Sequence, residues 1–299
     1  MDHVQALLPH ALRRWQNYLL VAKPGIVLAN AVTAAGGFLL ASRGRPDPAL
    51  LLPSLIGISL AVASGCAFNN YVDRDLDRKM DRTRNRVLPR ELISPGASAG
   101  YASLLFIAGM IILGRASGAP AAAIVAAGFA VYVTLYSLCL KRVSAYGVLV
   151  GSLAGAAPPL AGYCAAAGRL DAGAAILLAI FCLWQVPHAY AVAVFRSDDY
   201  AAASIPVLPV RQGTRGVRKR IACCVALFVG VVPMLTFAGY TGYGYLAVTA
   251  ASGLSWLCAA LFGCKASDDR LWARRQFIFS LLNVCAVSVM MSIDFAHPA

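Results

Sequence analysis

Nine stretches of roughly twenty apolar residues, separated by short polar connections, follow one another along the chain. Their approximate limits are 18–41, 49–71, 98–114, 119–140, 144–166, 172–195, 221–240, 243–264 and 276–295. None alternates with the period of two that a membrane barrel strand needs. A backbone polar group without a partner in hydrocarbon costs several kcal/mol, so the element predicted for every stretch is a helix. The expected fold class is all-α: a polytopic membrane protein with about nine transmembrane helices. No solenoid-type repeat or low-complexity tail interrupts the pattern, and residues 1–299 read as one domain. Small residues in "VGSLAGAAPPLAG" suit close helix packing, and Pro158 and Pro159 predict a break or kink in the fifth span.

Composition agrees, with 60% apolar and 13% charged residues and a mean hydropathy of +0.69, far from a soluble domain. The net charge of +13 could suggest nucleic acid, but its distribution argues against that. With the N-terminus in the cytoplasm, 22 of the 26 Lys and Arg residues fall in the N-terminal tail and the cytoplasmic connections. Only Arg43, Arg45, Arg115 and Arg169 fall on the other side. The positive-inside rule then places the C-terminus, at Ala299, outside. The first 17 residues lack a long apolar core and a cleavage site, so the first helix is expected to direct insertion. Nine cysteines, Cys264 among them, are scattered through the spans without a CxxC and read as small buried hydrophobes.

The second span ends in an unusual run, "NNYVDRDLDRKMDRTRNRVL", residues 69–88. Asn69, Asp73 and Asp77 are spaced by four, which places them in one stripe on a helix. Arg74, Arg78, Arg82 and Arg86 would form a second stripe about 100° round. Two carboxylates and an amide oxygen are hard ligands of the kind Mg²⁺ accepts together with phosphate oxygens, and neighbouring guanidiniums can grip the remaining oxygens. The expectation is a magnesium diphosphate site. A solvated loop in which aspartates pair with arginines is the competing reading. The regular spacing at the membrane edge favours the site. Asp75 and Asp81 lie off the stripe and are expected to balance charge.

"NNYVDRDLD" resembles the NxxxDxxxD signature of the UbiA superfamily of intramembrane prenyltransferases, and "RKMDRTRNRVL" resembles its heme O synthase branch. "YSLCLKRVSAYGVLVGSLAGAAPPLAGY" from Tyr136 and "WQVPHAYAVAVFRSDDYAAASIPVLPV" from Trp184 are similar to two further segments of that branch. The resemblance implies nine helices around a central cavity, diphosphate chemistry at the cytoplasmic mouth and a lateral opening to lipid. It implies Asn69, Asp73 and Asp77 as the first metal motif and Lys141 and Arg142 as basic contacts to the diphosphate. Many members carry a second DxxxD motif. Here its first aspartate is replaced by Phe195, so only Asp199 or its neighbour Asp198 can serve, which puts a second fully liganded Mg²⁺ in doubt.

The implied substrates are farnesyl diphosphate and heme b, with Mg²⁺ as cofactor, in the cell inner membrane. Heme A synthase or terminal oxidase assembly factors are the implied partners, and nucleic acid is not one. A prenyltransferase acting on a quinone precursor would share the first motif but should keep an intact DxxxD. A non-enzymatic heme-handling protein or a transporter would need no aspartate stripe.

His188 lies within the sixth span, where ionisable groups are uncommon and usually face a cavity. It could contact heme iron, remove a proton, or bond across helices to a carbonyl freed by Pro187. Trp184 and Tyr190 could flank a flat substrate or simply pack. The run "VRQGTRGVRKR" at 210–220 suits contact with anionic headgroups, with Arg211 a candidate contact to the diphosphate.

Overall fold

The structure, a computed structural model, describes residues 10–263 and 268–296, with side chains from Arg14 onward. Arg13's side chain, Cys264 and Ala299 lie outside them. The α-helices of five or more residues are α1 (His10–Ala22), α2 (Pro24–Ser42), α3 (Pro48–Asp77), α4 (Pro95–Ala130), α5 (Gly147–Ala167), α6 (Ala172–Phe195), α7 (Ser197–Ala202), α8 (Leu208–Gln212), α9 (Thr214–Val231), α10 (Tyr243–Phe262) and α11 (Asp269–Ile293). A π-helical segment, Val131–Leu140, continues α4.

Helix starts follow from local chemistry. Asp47, Ser94, Asp171 and Asp268 each accept a hydrogen bond from a backbone N–H of the first turn, and Pro48 and Pro95 open their helices with φ already set. The expected first span divides at Lys23, whose left-handed φ of 54° before Pro24 separates α1 from α2. Pro158 and Pro159 do not break α5, which is helical from Gly147 to Ala167.

Eight helical runs among the described residues are long and apolar enough to cross a membrane. The longest, Pro95–Val143, has 49 residues, about 74 Å of helix and more than twice a hydrocarbon core. It reverses at Gly118, which has φ 74° and ψ −174°. Phe106 and Phe129, on either side of that glycine, stack with centroids 4.0 Å apart, so the two halves lie side by side. This run therefore supplies the third and fourth crossings, which makes nine crossings among the described residues.

Helices approach closely where side chains are missing. A Cβ placed on Gly57 of α3 would lie 2.9 Å from the Gly109 carbonyl oxygen, and one on Gly109 would lie 2.7 Å from the Gly57 carbonyl oxygen. Gly109→Val is expected to force α3 and α4 apart and to destabilise the fold by about 1–3 kcal/mol, read as a lower thermal midpoint in detergent. An unchanged midpoint would show that this contact is dispensable.

The cysteines correct one expectation. Cys66 and Cys164 are buried, but Cys139, Cys223, Cys258 and Cys285 are exposed on the bundle. A lipid-facing position is as apolar as the core, so sequence alone does not separate the two.

Candidate active site

The end of α3 forms the floor of a polar cluster. Asn69, Asp73 and Asp77 are all buried on one helix, as their spacing predicts. Lys23 donates to Asn69 Oδ1 at 2.9 Å. A lysine can only donate, so this bond fixes the amide: Asn69 Nδ2 points the other way, 2.7 Å from Asp73 Oδ2 and 3.3 Å from Ser137 Oγ. Lys141, just past the π-helical segment, also bonds Asp73 Oδ2. Asp73 Oδ1 is buried with no hydrogen-bond partner among the described residues. Arg86 reaches back to Asp77 Oδ2 at 2.9 Å. Burial, and then the Arg86 charge, lower the Lys23 ammonium to about 8.

These contacts test the residues against a metal. The bare oxygen of Asp73 and the carboxylate of Asp77, one turn on, are the donors a hard cation needs. The amide oxygen of Asn69 accepts from Lys23 and its Nδ2 orients Asp73, which leaves one lone pair of that oxygen to offer a metal. Among the described residues no group of three or more His, Cys, Asp or Glu forms a cage. That donor set suits Mg²⁺ held partly by substrate phosphate and water.

The expected arginine stripe does not form. Helix α3 stops at Asp77, and the following residues run through turns. Arg74 bonds the Tyr71 carbonyl and lies over the Tyr71 ring. Arg78 pairs with Glu91 at 2.5 Å on the exposed side. Arg82 and Arg86 turn inward, towards Asp199 and Asp77 respectively. Arg142 makes a two-pronged bond to Asp75 at 2.8 Å and a third to the Val72 carbonyl, tying two helices together. Arg211 is exposed on α8 and does not line the cavity. Asp81 pairs with Arg84. The neighbouring aspartates of α7 diverge: Asp198 pairs with Arg270 at the surface, while Asp199 is largely covered and faces Arg82.

Next to the cluster lies a cavity of about 920 Å³, at the upper end of the range for small-molecule sites. Its walls come from α2, α3, α4, α5, α6 and α11 and are mostly apolar. Leu28, Val32 and Leu281 line it and are themselves exposed, so the cavity is not sealed along the flank between α2 and α11. Deeper in, these helices close, since a Cβ on Gly36 would lie 2.9 Å from the Ser288 carbonyl oxygen. His188 and Trp184 both line the cavity, with rings 5.0 Å apart. Tyr190 is buried in the core and does not line it.

The partner of His188 Nδ1 is Ser280 Oγ on α11, at 2.8 Å, rather than a carbonyl freed by Pro187. Ser280 donates its own hydrogen to the Phe277 carbonyl at 2.6 Å. Ser280 Oγ must then accept, so Nδ1 carries the proton and the lone pair is on Nε2.

The model of the UbiA prenyltransferase family matches residues 30–282. The chain belongs to this family. It is 54% identical over 278 residues to a protein of Chromohalobacter salexigens named protoheme IX farnesyltransferase, covering 93% of this chain and 94% of that one. A protein of the same name from Salmonella typhimurium is 54% identical over 284 residues, covering 95% and 96%. Two solved structures share the fold. A digeranylgeranylglyceryl phosphate synthase has a TM-score of 0.76 at 19% identity, over 93% of this chain and 99% of that one. A UbiA homolog from Archaeoglobus fulgidus bound to GPP and Mg²⁺ has a TM-score of 0.71 at 16% identity, over 93% and 100%. As in the rest of the UbiA family, the chain is a multi-pass membrane prenyltransferase.

Lys23 is the site residue that sequence reading passed over. It counted only as a topological charge, although a lysine before the proline that opens the first span is a visible signal.

Proposed function

We propose that this protein transfers the farnesyl group of farnesyl diphosphate to a vinyl group of heme b, with addition of water, to give heme O and diphosphate. The observation that carries this reading is the 54% identity, over almost the whole chain, to relatives named for that activity. A large apolar cavity bearing a histidine, beside a mouth of aspartates and basic side chains, supports it.

Asp73 through Oδ1 and Asp77 would hold the metal, with substrate phosphate oxygens and water completing its shell, while Asp199 of α7 stays with Arg82. Mg²⁺ bound there would neutralise charge growing on the departing diphosphate. Lys141 and Arg86 already lie on Asp73 and Asp77 and can move to phosphate oxygens as the substrate enters. As the C–O bond breaks, the electron pair leaves with diphosphate and an allylic cation remains in the apolar cavity, away from bulk water. The vinyl π electrons form the new C–C bond. Water then adds to the resulting cation and loses a proton. His188 Nε2, with its free lone pair, can either accept that proton or hold the heme iron.

Incubating purified protein with farnesyl diphosphate, Mg²⁺ and either heme b or 4-hydroxybenzoate tests the reading by mass analysis. Farnesylated, hydrated heme is expected. Prenylated hydroxybenzoate with unchanged heme would leave only the broader prenyltransferase reading.

Lys23 is read as the residue that holds Asn69 in its donating orientation. Lys23→Met is expected to raise the Mg²⁺ concentration needed for half-maximal rate by about tenfold, and Lys23→Gln, which can still donate, to recover part of the loss. Equal behaviour of the two variants would remove this role. The mouth is assigned to the cytoplasmic side of the cell inner membrane. A cysteine placed at Arg90 should then resist an impermeant thiol reagent in intact cells; rapid labelling would reverse the orientation. The product would pass to heme A synthase or terminal oxidase assembly factors.

A further inference from the structure

We propose that Arg196, together with Arg82, forms the subsite that receives the carboxylates of the acceptor. The inference rests on heme b, a flat apolar macrocycle with two propionates on one edge, being that acceptor. Among the residues lining the cavity, Arg82 and Arg196 are the ones that carry a formal charge; the remainder are apolar or neutral polar side chains. A dicarboxylate entering this cavity therefore either leaves its charges in water at the rim or brings them to these two guanidiniums.

The local arrangement leaves Arg196 available. Its guanidinium lies over the Phe195 ring, 5.2 Å from the centroid, and it forms no ion pair among the described residues. The nearby carboxylates are committed elsewhere, Asp198 to Arg270 and Asp199 to Arg82. The Arg82–Asp199 pair is loose at 3.9 Å, so Arg82 can share its guanidinium with an incoming anion. Where an intact second DxxxD motif would begin with an aspartate, this chain has Phe195, and the ring supports a cation. The rim is thereby basic where that aspartate would have made it acidic.

Depth agrees with this placement. His188 and Arg196 are eight residues apart along α6 and its C-terminal cap, about 12 Å of rise. An arginine reaching down and a propionate reaching up from a ring at the His188 level divide that distance between them. Holding the carboxylate edge on the α6 side turns the opposite, vinyl-bearing edge towards α2 and α3, the wall beside the Lys23, Asn69 and Asp73 cluster. A guanidinium fork suits carboxylates better than a lysine point charge would.

Optical titration of detergent-purified protein with heme b and with heme b dimethyl ester tests the subsite. Unmodified protein is expected to bind the diester about tenfold more weakly than heme b. Arg196→Gln should bind heme b about tenfold more weakly than unmodified protein does and should no longer distinguish the two compounds fully. Arg196→Lys should fall between, and KM for farnesyl diphosphate should not change. Equal binding of acid and diester by the unmodified protein overturns the proposal, without reliance on any variant. So does unaltered heme affinity in Arg196→Gln, or a rise confined to the farnesyl diphosphate KM. If unmodified protein binds no heme, the acceptor assignment itself fails and this subsite with it. If it binds and farnesylates heme but Arg196 is silent, only the subsite fails.

Discussion

Asp73→Asn is expected to lower prenyl transfer by about 10²–10³-fold while leaving the bundle assembled. The change keeps the size of the side chain and removes its charge. It takes a carboxylate from the position where one oxygen is bare and the other is shared by Asn69 and Lys141. An amide there offers at most one oxygen, to either the lysine or a metal. Adding Lys141→Met to Asp73→Asn should cost much less than Lys141→Met alone, because the two side chains act on one another. The measurement is kcat/KM at limiting Mg²⁺ alongside the thermal midpoint. Near-normal turnover in folded Asp73→Asn would remove Asp73 from the metal site.

His188→Ala should reduce turnover on heme by about 10²-fold and leave the affinity for the magnesium diphosphate unchanged, because His188 belongs to the cavity wall and the Asn69, Asp73 and Asp77 cluster proposed for the diphosphate lies at the mouth. Ser280→Ala should produce a smaller loss. That serine fixes which ring nitrogen carries the proton, and without it both tautomers become accessible. Separate measurement of kcat with heme and of the farnesyl diphosphate Kd distinguishes the effects. A matching fall in diphosphate affinity would mean that His188 serves the mouth.

The reach of the sequence can be judged from particular residues. Asn69, Asp73 and Asp77 were legible because a spacing of four keeps its meaning wherever the chain stays helical, and α3 does so up to Asp77. The basic stripe was not, because no Pro or Gly marks the end of that helix and the period was carried beyond it. The fold-back at Gly118 was visible as a gap between two apolar runs. Lys23 and Asn69 are 46 residues apart, and only tertiary packing reveals that one sets the amide of the other. Asp198 and Asp199 are adjacent and chemically alike. The turn of α7 separates them, giving one to Arg270 and the other to Arg82.

The open flank bounded by Leu28, Val32 and Leu281 changes what substrate concentration means for this enzyme. A reactant that arrives through that slot comes as a solute of the bilayer, so the occupancy it achieves depends on its mole fraction among lipids. Diluting a proteoliposome with lipid that carries neither enzyme nor substrate, under conditions where the membranes mix, would slow turnover even though no bulk molarity had changed. The product leaves into the same two-dimensional solution. A downstream protein in the same membrane could then collect it by lateral diffusion, without a passage through water that so apolar a molecule would resist.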